Sequence, residues 1–203
     1  TLTKSQKNVI NEINKDLSSN SRMFRILQGD VGSGKTIVSL ISIANTIEAG
    51  FQCALMAPTS ILANQHYNEA KKLFKNTEIN ISLLTGKTPY SIRSKIIKNL
   101  ELKKINLIIG THSLFQKKIN FKNLGLVVID EQHKFGVKQR ISLTDKGDSN
   151  CDLLLMSATP IPRTLMLGVY GDMDISKLTE KPKNREKILT YSKPENKIEE
   201  IWK

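Results

Sequence analysis

The sequence predicts an α/β domain: a parallel sheet with helices on both faces. Three observations carry that expectation. Apolar runs of strand length alternate with longer segments of helical period. The runs are apolar almost throughout, not at every second position, so each strand is buried on both faces, as parallel strands are. Polar clusters follow Gln28, Ala57, Ile109, Ile129 and Met156. These are the carboxyl ends of the runs, where open parallel sheets carry their ligands.

The elements follow in order. Leu2-Thr3-x-x-Gln6 is suited to capping a first helix. Phe24 to Gln28 is the first strand. Lys35 to Ala49 carries Ile37, Val38, Leu40, Ile41, Ile43, Ala44 and Ile47, then stops at Gly50, a residue suited to follow a helix end. Gln52 to Ala57 is a strand, with a turn at Pro58-Thr59. A helix from about Ser60 sets Ile61, Leu62, His66, Ala70, Leu73 and Phe74 toward one side. Ile79 to Leu84 is a strand, and Ser91 to about Leu102 repeats Ile92, Ile96, Ile97 and Leu100 as a half-buried helix does. Ile105 to Ile109 leads into Gly110-Thr111-His112, Leu124 to Ile129 into Asp130-Glu131, and Asp152 to Met156 into Ser157-Ala158-Thr159. After about residue 175 the composition changes. Residues 180–187 are charged and hold a proline, which suits a linker. Ile188 to Ser192 reads as one more strand, and Glu195 to Lys203 as the start of a helix. One domain is therefore expected over 1–180, with a linker and the start of a second domain over 181–203.

The 203 residues, 39% of them hydrophobic, suit one large domain. The net charge of +12 favours a polyanionic partner. Lysine supplies 25 of the 31 basic residues and is scattered, so composition explains part of the excess. Cys53 and Cys151 lie in apolar stretches without metal-ligand spacing and read as buried free thiols of a cytoplasmic protein. No apolar stretch approaches a membrane span. The chain begins Thr1-Leu2-Thr3-Lys4, which is not a signal peptide and lacks an initiator Met, so a longer parent protein is expected.

The most specific chemistry lies at residues 29–36, Gly29-Asp30-Val31-Gly32-Ser33-Gly34-Lys35-Thr36. This is a phosphate-binding loop: glycines let successive N–H groups turn inward onto phosphate oxygens, Lys35 reaches the β/γ-phosphates, and the Thr36 hydroxyl can ligate Mg2+. A strand before it and a helix after it supply the required context, and the positive end of that helix faces the phosphates. ATP with Mg2+ is the expected cofactor. Asp130-Glu131 closes an apolar strand about 95 residues downstream. Asp130 is suited to hold Mg2+ and Glu131 to polarise an attacking water. Strands also end in acids for solubility alone, but the upstream phosphate loop gives this pair a ligand. Gln132-His133 extends it. His133 is either a satisfied structural histidine or a sensor linking nucleotide to Ser157 and Thr159, whose hydroxyls could change partners when phosphate is lost.

Gly-Lys-Thr, Asp-Glu-Gln-His and Ser-Ala-Thr, in that order, look like motifs I, II and III of superfamily 2 helicases. Residues 28–36, 57–66, 109–114, 130–140 and 158–164 together resemble the RecG family of branched-DNA helicases, from about Leu2 to Lys203. The related Mfd family typically has Glu where Gln132 stands. The resemblance implies a RecA-like P-loop NTPase fold and an ATP-dependent DNA helicase acting on forks and junctions, with a monomeric parent chain. It implies that Thr3 and Gln6 fall where a segment contacting adenine lies, an alternative to capping the first helix. It also implies that Pro58 and Thr59, and Gly110, Thr111 and His112, line the nucleic-acid track. Turn chemistry after a strand is the alternative for each of these. Lys35, Asp130, Glu131 and His133 form the implied catalytic set, and Gln132, Ser157 and Thr159 the coupling set. Arg163 would contact either DNA or the second motor domain. Ser60, Ser113, Ser157 and Lys134 depart from the family's frequent residues, and Lys134 loses the bidentate geometry of an arginine. A DNA-binding wedge domain and a second RecA-like domain are implied partners from the full-length chain. Without the arginine finger that the second domain supplies, this segment alone is expected to bind nucleotide weakly and turn over little. Two other readings stand beside this one: an Mfd-like translocase acting on RNA polymerase, and a nucleotide-switched binding module without motor action.

Overall fold

The computed structural model describes residues 2–116, 118–131, 151–159, 173–180 and 194. Within them a seven-stranded sheet is built from β1 (Phe24–Gly29), β2 (Gln52–Met56), β3 (Ile81–Leu84), β4 (Leu107–Gly110), β5 (Leu124–Ile129), β6 (Asp152–Ser157) and β7 (Asp174–Leu178), in the order β3-β4-β2-β5-β6-β1-β7. Every pairing is parallel. The expected fold class, a RecA-like parallel sheet with helices on both faces, is observed.

Alternation along the strands divides the core in two. Leu27, Cys53, Leu55, Leu107, Ile109, Leu126, Val128, Leu154 and Met156 point to one face. There they meet α1 (Lys4–Leu17), α2 (Lys35–Glu48) and α3 (Ser60–Leu73) through Val9, Ile13, Val38, Ile43, Ala63 and Ala70. Ile26, Ala54, Met56, Ile108, Val127, Ile129, Leu153 and Leu155 point to the other. That side receives Ile96 and Leu100 of α4 (Tyr90–Glu101) and Leu114 of a 3-10 turn at His112–Phe115. With both faces covered, the interior of the sheet holds little but hydrocarbon, worth roughly 25 cal/mol per Å² of apolar area removed from water.

Local chemistry sets the boundaries. Thr3 caps α1 in a complete capping box with Gln6, about 1 kcal/mol of helix stability. In α2 the hydroxyls of Ser39, Ser42 and Thr46 donate back to the carbonyls of Thr36, Val38 and Ser42, which is how three polar side chains are buried in an apolar helix. Gly50, at φ +91°, turns the chain out of that helix. The fully buried Gln52 uses its whole amide: Nε2 donates to the carbonyls of Leu100 and Ile105, and Oε1 accepts from the N–H groups of Lys122 and Asn123.

Two expected strands are shorter at their amino ends. Pairing starts at Ile81 and Leu107 instead of Ile79 and Ile105, because the Asn80 carbonyl takes the N–H groups of both Asn106 and Leu107. β7 was not expected as a strand. It lies at the sheet edge beside β1, held by Arg25, whose guanidinium donates to Asp16 at 2.7 Å and Ser176 at 2.8 Å and lies 3.5 Å from Asp174. The strand expected at Ile188 to Ser192 and the helix from Glu195 lie outside the described residues. Among the described residues no helix is long and apolar enough to cross a membrane.

Asp152 opens β6 with its carboxylate accepting from the Met23 N–H at 2.7 Å. Burial pushes its pKa up to about 6, against the pull of that hydrogen bond and of Arg22. A carboxyl raised in the folded state stabilises the fold below its ordinary value near 4, and loses that contribution as pH climbs through 6. Asp152→Asn, which keeps the acceptor for Met23, is expected to raise thermal stability at pH 8. The gain is about 1 kcal/mol once solvent screening of this half-buried group is allowed for. It should vanish in melts at pH 4.

Candidate nucleotide site

The strand order fixes the order of the polar groups along the carboxyl rim of the sheet. Register places Gly110 beside Met56, Met56 beside Ile129, and Gln28 beside Ser157. Across the rim one therefore meets Gly110 at the end of β4, Pro58 after β2, Asp130 after β5, Ser157 at the end of β6 and Gly29 at the end of β1. Residues from five separate chain segments converge because the apolar strands exclude polar side chains from the middle of the sheet and their parallel order brings all five carboxyl ends to one edge.

The phosphate loop joins β1 to α2. Gly34 is the N-cap of α2 at φ +92°, and Gly32 also has a positive φ of +78°. Both conformations suit glycine. A Cβ on Gly34 would collide with Gln6 Nε2, and one on Gly29 would meet Ser33 Oγ at 2.6 Å. No acid stands in the first turn of α2, so its positive end faces the loop unopposed. The Ser33 hydroxyl is buried with no hydrogen-bond partner among the described residues. Lys35 Nζ donates to the carbonyls of Gly29 at 2.5 Å and Asp30 at 3.1 Å. Burial lowers its pKa, and the carboxylates of Asp130, Glu131 and Asp30 act against that shift. The ammonium thus rests on the loop's own carbonyls, within electrostatic reach of the carboxylates of Asp130 and Glu131.

Those acids share one cleft of about 480 Å³ with Gly32, Gly34, Lys35 and Thr36, walled on its far side by Leu62, Gln65, His66 and Glu69 of α3. A larger cavity of about 590 Å³ lies at the amino ends of the strands, lined by Arg22, Phe51, Gly125 and Asp152 among others. It gathers none of the expected residues, so size does not mark the site here. Asp130 is only 8% exposed. Its Oδ1 accepts from the Glu131 N–H at 2.9 Å, and its Oδ2 lies 2.7 Å from His66 Nε2. Glu131 itself sits at φ +51°, a left-handed conformation that costs a non-glycine residue about 1–2 kcal/mol and concentrates at functional sites.

The remaining expected residues are placed as follows. Gln6 does both things open to it in a single geometry. Its Oε1 accepts from the Thr3 N–H at 2.9 Å, and its Nε2 donates to the Ser33 carbonyl at 2.8 Å, so it braces the phosphate loop from behind. The Ser157 hydroxyl donates to the Thr159 carbonyl, which also accepts from Gln28 Nε2 at 3.0 Å, tying the Ser-Ala-Thr turn to the strand that carries the loop. Thr59 is exposed and caps α3, accepting from the Leu62 N–H. Pro58 is half-buried. Gly110 and Thr111 are buried in a turn wrapped around the Leu84 carbonyl, which takes the Ser113 hydroxyl at 2.9 Å and into which a Cβ on Gly110 would run. His112 alone of the three is exposed. Gln132, His133 and Arg163 lie outside the described residues. Reading along the sequence missed His66 as a site residue, because its helical spacing matches the apolar stripe of α3.

The donors present fit a nucleotide and Mg2+. Glycines at positive φ, the Lys35 ammonium and the hydroxyl-bearing Thr36 line one cleft with a buried carboxylate, and Mg2+ takes one or two protein oxygens together with phosphates and water. Among the described residues no group of three or more His, Cys, Asp or Glu could hold a metal by itself, and Mg2+ held in this way calls for none.

Fold and site together define a RecA-like nucleotide-binding domain. The family model for DEAD/DEAH box helicase matches residues 3–167, and the chain belongs to that family. It is similar to the ATP-dependent DNA helicase RecG of Thermotoga maritima, 48% identical over 99% of this chain and 26% of that protein. It is likewise similar to RecG of Aquifex aeolicus, 47% identical over 100% of this chain and 26% of that one. The chain thus spans about a quarter of the length of these relatives. A solved structure of RecG bound to a three-way DNA junction superposes with a TM-score of 0.87 at 45% identity, covering 100% of this chain and 27% of that one. The DEAD-box helicase Mss116 bound to ssRNA and UDP-BeF has a TM-score of 0.68 at 24% identity over 89% of this chain and 41% of its own, a likeness of fold. The resemblance read from the motifs is borne out by these relatives.

Gly34→Ala is expected to weaken nucleotide binding by at least 10-fold, because the new methyl group both strains a left-handed residue and displaces Gln6. Titration with a fluorescent ATP analogue measures it, and unchanged affinity would show that the loop does not need this geometry.

Proposed function

We propose that this chain is the first motor domain of an ATP-dependent DNA helicase that remodels branched DNA, such as stalled forks and four-way junctions. The observation that carries this reading is the rim itself. The phosphate loop and the carboxylate pair open onto one cleft, while Thr59 and His112, exposed at the ends of β2 and β4, stand on the adjoining stretch of the same edge. The similarity to RecG over the whole chain, including a RecG bound to a three-way junction, supports the substrate class.

In this reading Lys35 exchanges the Gly29 and Asp30 carbonyls for β/γ-phosphate oxygens, and the loop amides and the positive end of α2 hold the rest of the triphosphate. Thr36 and Asp130 are the residues that hold Mg2+, which when bound neutralises phosphate charge. Glu131, turned into the cleft mouth by its left-handed backbone, takes the proton of the attacking water. Phosphate contacts at Thr59 and His112 position the DNA without reading its sequence. Ser157, Thr159 and Gln28 relay the state of the cleft along β6 and β1. A second RecA-like domain and a wedge domain belong to the rest of the chain, in keeping with the quarter of its relatives' length that this segment spans. The full-length protein acts as a monomer in the cytoplasm, where Cys53 and Cys151 of this segment stay free thiols.

ATP hydrolysis by the full-length protein with linear, forked and four-way DNA tests the substrate class. Branched DNA is expected to stimulate most, and equal stimulation by linear duplex would contradict it. Glu131→Gln should leave ATP binding within about 3-fold and cut hydrolysis by about 100-fold or more. Loss of binding would reassign Glu131 from base to ligand. Lys35→Ala should abolish fork unwinding, and retained unwinding would remove Lys35 from the site.

A further inference from the structure

His66 stands in the second turn of α3, 4% exposed, with Nε2 2.7 Å from Asp130 Oδ2. A carboxylate only accepts, so Nε2 carries the proton of this bond. The other oxygen of Asp130 takes the Glu131 N–H. With one fixed donor on each oxygen the carboxylate plane cannot rotate, and each oxygen keeps a second lone pair for the cleft. Nothing else among the described residues bonds His66: its Nδ1 is buried without a partner. A buried imidazole with a single hydrogen bond is a poor way to fill a core, since an unpaired polar atom costs about 1–3 kcal/mol. Its one bond goes to the acid placed to hold the metal. Groups that orient a metal's ligands in this way typically matter 10–100-fold in metal affinity.

The helix gives the pair a second meaning. α3 begins at its cap Thr59, exposed on the stretch of rim assigned to DNA, and His66 lies seven residues on, about two turns or 10 Å along the same rigid rod. We propose that His66 is a positioning residue: it fixes the Asp130 carboxylate for Mg2+ and, through α3, ties that carboxylate to the DNA-facing cap at Thr59. This rests on the helicase reading above and adds a coupling route separate from the Ser157–Thr159 turn.

The test uses the full-length protein and a fluorescent ATP analogue, titrated in Mg2+ and in EDTA, with and without forked DNA. The quantity compared is the ratio of nucleotide affinities with and without Mg2+, in which a general loosening of the loop cancels. His66→Leu, and His66→Asn whose amide is too short to reach, should lower that ratio about 10-fold or more. His66→Gln, which can place an amide N–H near the Nε2 position, should restore it to within about 3-fold. Forked DNA should lower the Mg2+ concentration for half-maximal binding in the wild type but not in His66→Leu. A ratio within about 2-fold of wild type in both Leu and Asn variants overturns the positioning role. So does loss of nucleotide binding already in EDTA by both, which would make His66 a support of the fold. An undiminished DNA effect in His66→Leu, or none in the wild type, overturns the link along α3. DNA-stimulated ATP hydrolysis by the wild type is measured beside these, so failure of the helicase reading shows itself separately.

Discussion

A strand covered by helices on both faces can carry no unpaired polar side chain in its middle, because each such group would lose water without gaining a partner. That constraint organises this molecule. From β4 to β1 the interior of the sheet is largely aliphatic, and among the described residues the phosphate loop and the acid pair stand at the carboxyl rim. The exceptions obey the same rule. Gln52 is buried but spends its whole amide on four backbone partners, and Arg25 is buried but meets Asp16, Ser176 and Asp174. Convergence of distant motifs on one cleft is therefore a consequence of burial, with the parallel order of strands choosing which motifs become neighbours.

Within the cleft, opposing electrostatic demands are held close together. Burial disfavours the Lys35 ammonium, and three carboxylates favour it. The loop carbonyls that now occupy its donors carry no net charge, so a polyphosphate adds an attraction between opposite charges that they do not supply. Asp130 is restrained through both oxygens, and Glu131 is held in a strained backbone beside it. The Asp130 carboxylate is thus ordered without a ligand, so binding there need not spend interaction energy on ordering it. The loop shares this preparation: Gln6, 27 residues before Ser33, holds the Ser33 carbonyl in place.

Most of the fold was legible because apolar runs and glycine stops are strong local signals. The phosphate loop and the acid pair were legible for a different reason, since their chemistry demands particular residues at fixed spacing. What was hidden depends on long-range partners. β7 alternates buried and exposed positions over five residues, with a serine turned inward toward Arg25, and nothing in Asp-Ile-Ser-Lys-Leu announces that an arginine from another strand will meet it. His66 looked like part of a helix's apolar stripe, because sequence periodicity reports which side is buried and not what the buried atom touches. Gly110 and Thr111 fit a nucleic-acid contact by position, yet the close approach of the Leu84 carbonyl explains the glycine by packing.

The central claim is that one cleft grips the triphosphate at its glycine loop and the metal at its acid. A crystal structure of the protein with a non-hydrolysable ATP analogue and Mg2+ tests it most directly. The γ-phosphate should rest against Lys35 Nζ and the amides of residues 32–36, with the cation between the Thr36 hydroxyl and Asp130. A nucleotide bound in the cavity at the opposite edge of the sheet, or a cation coordinated without Asp130, would contradict the account.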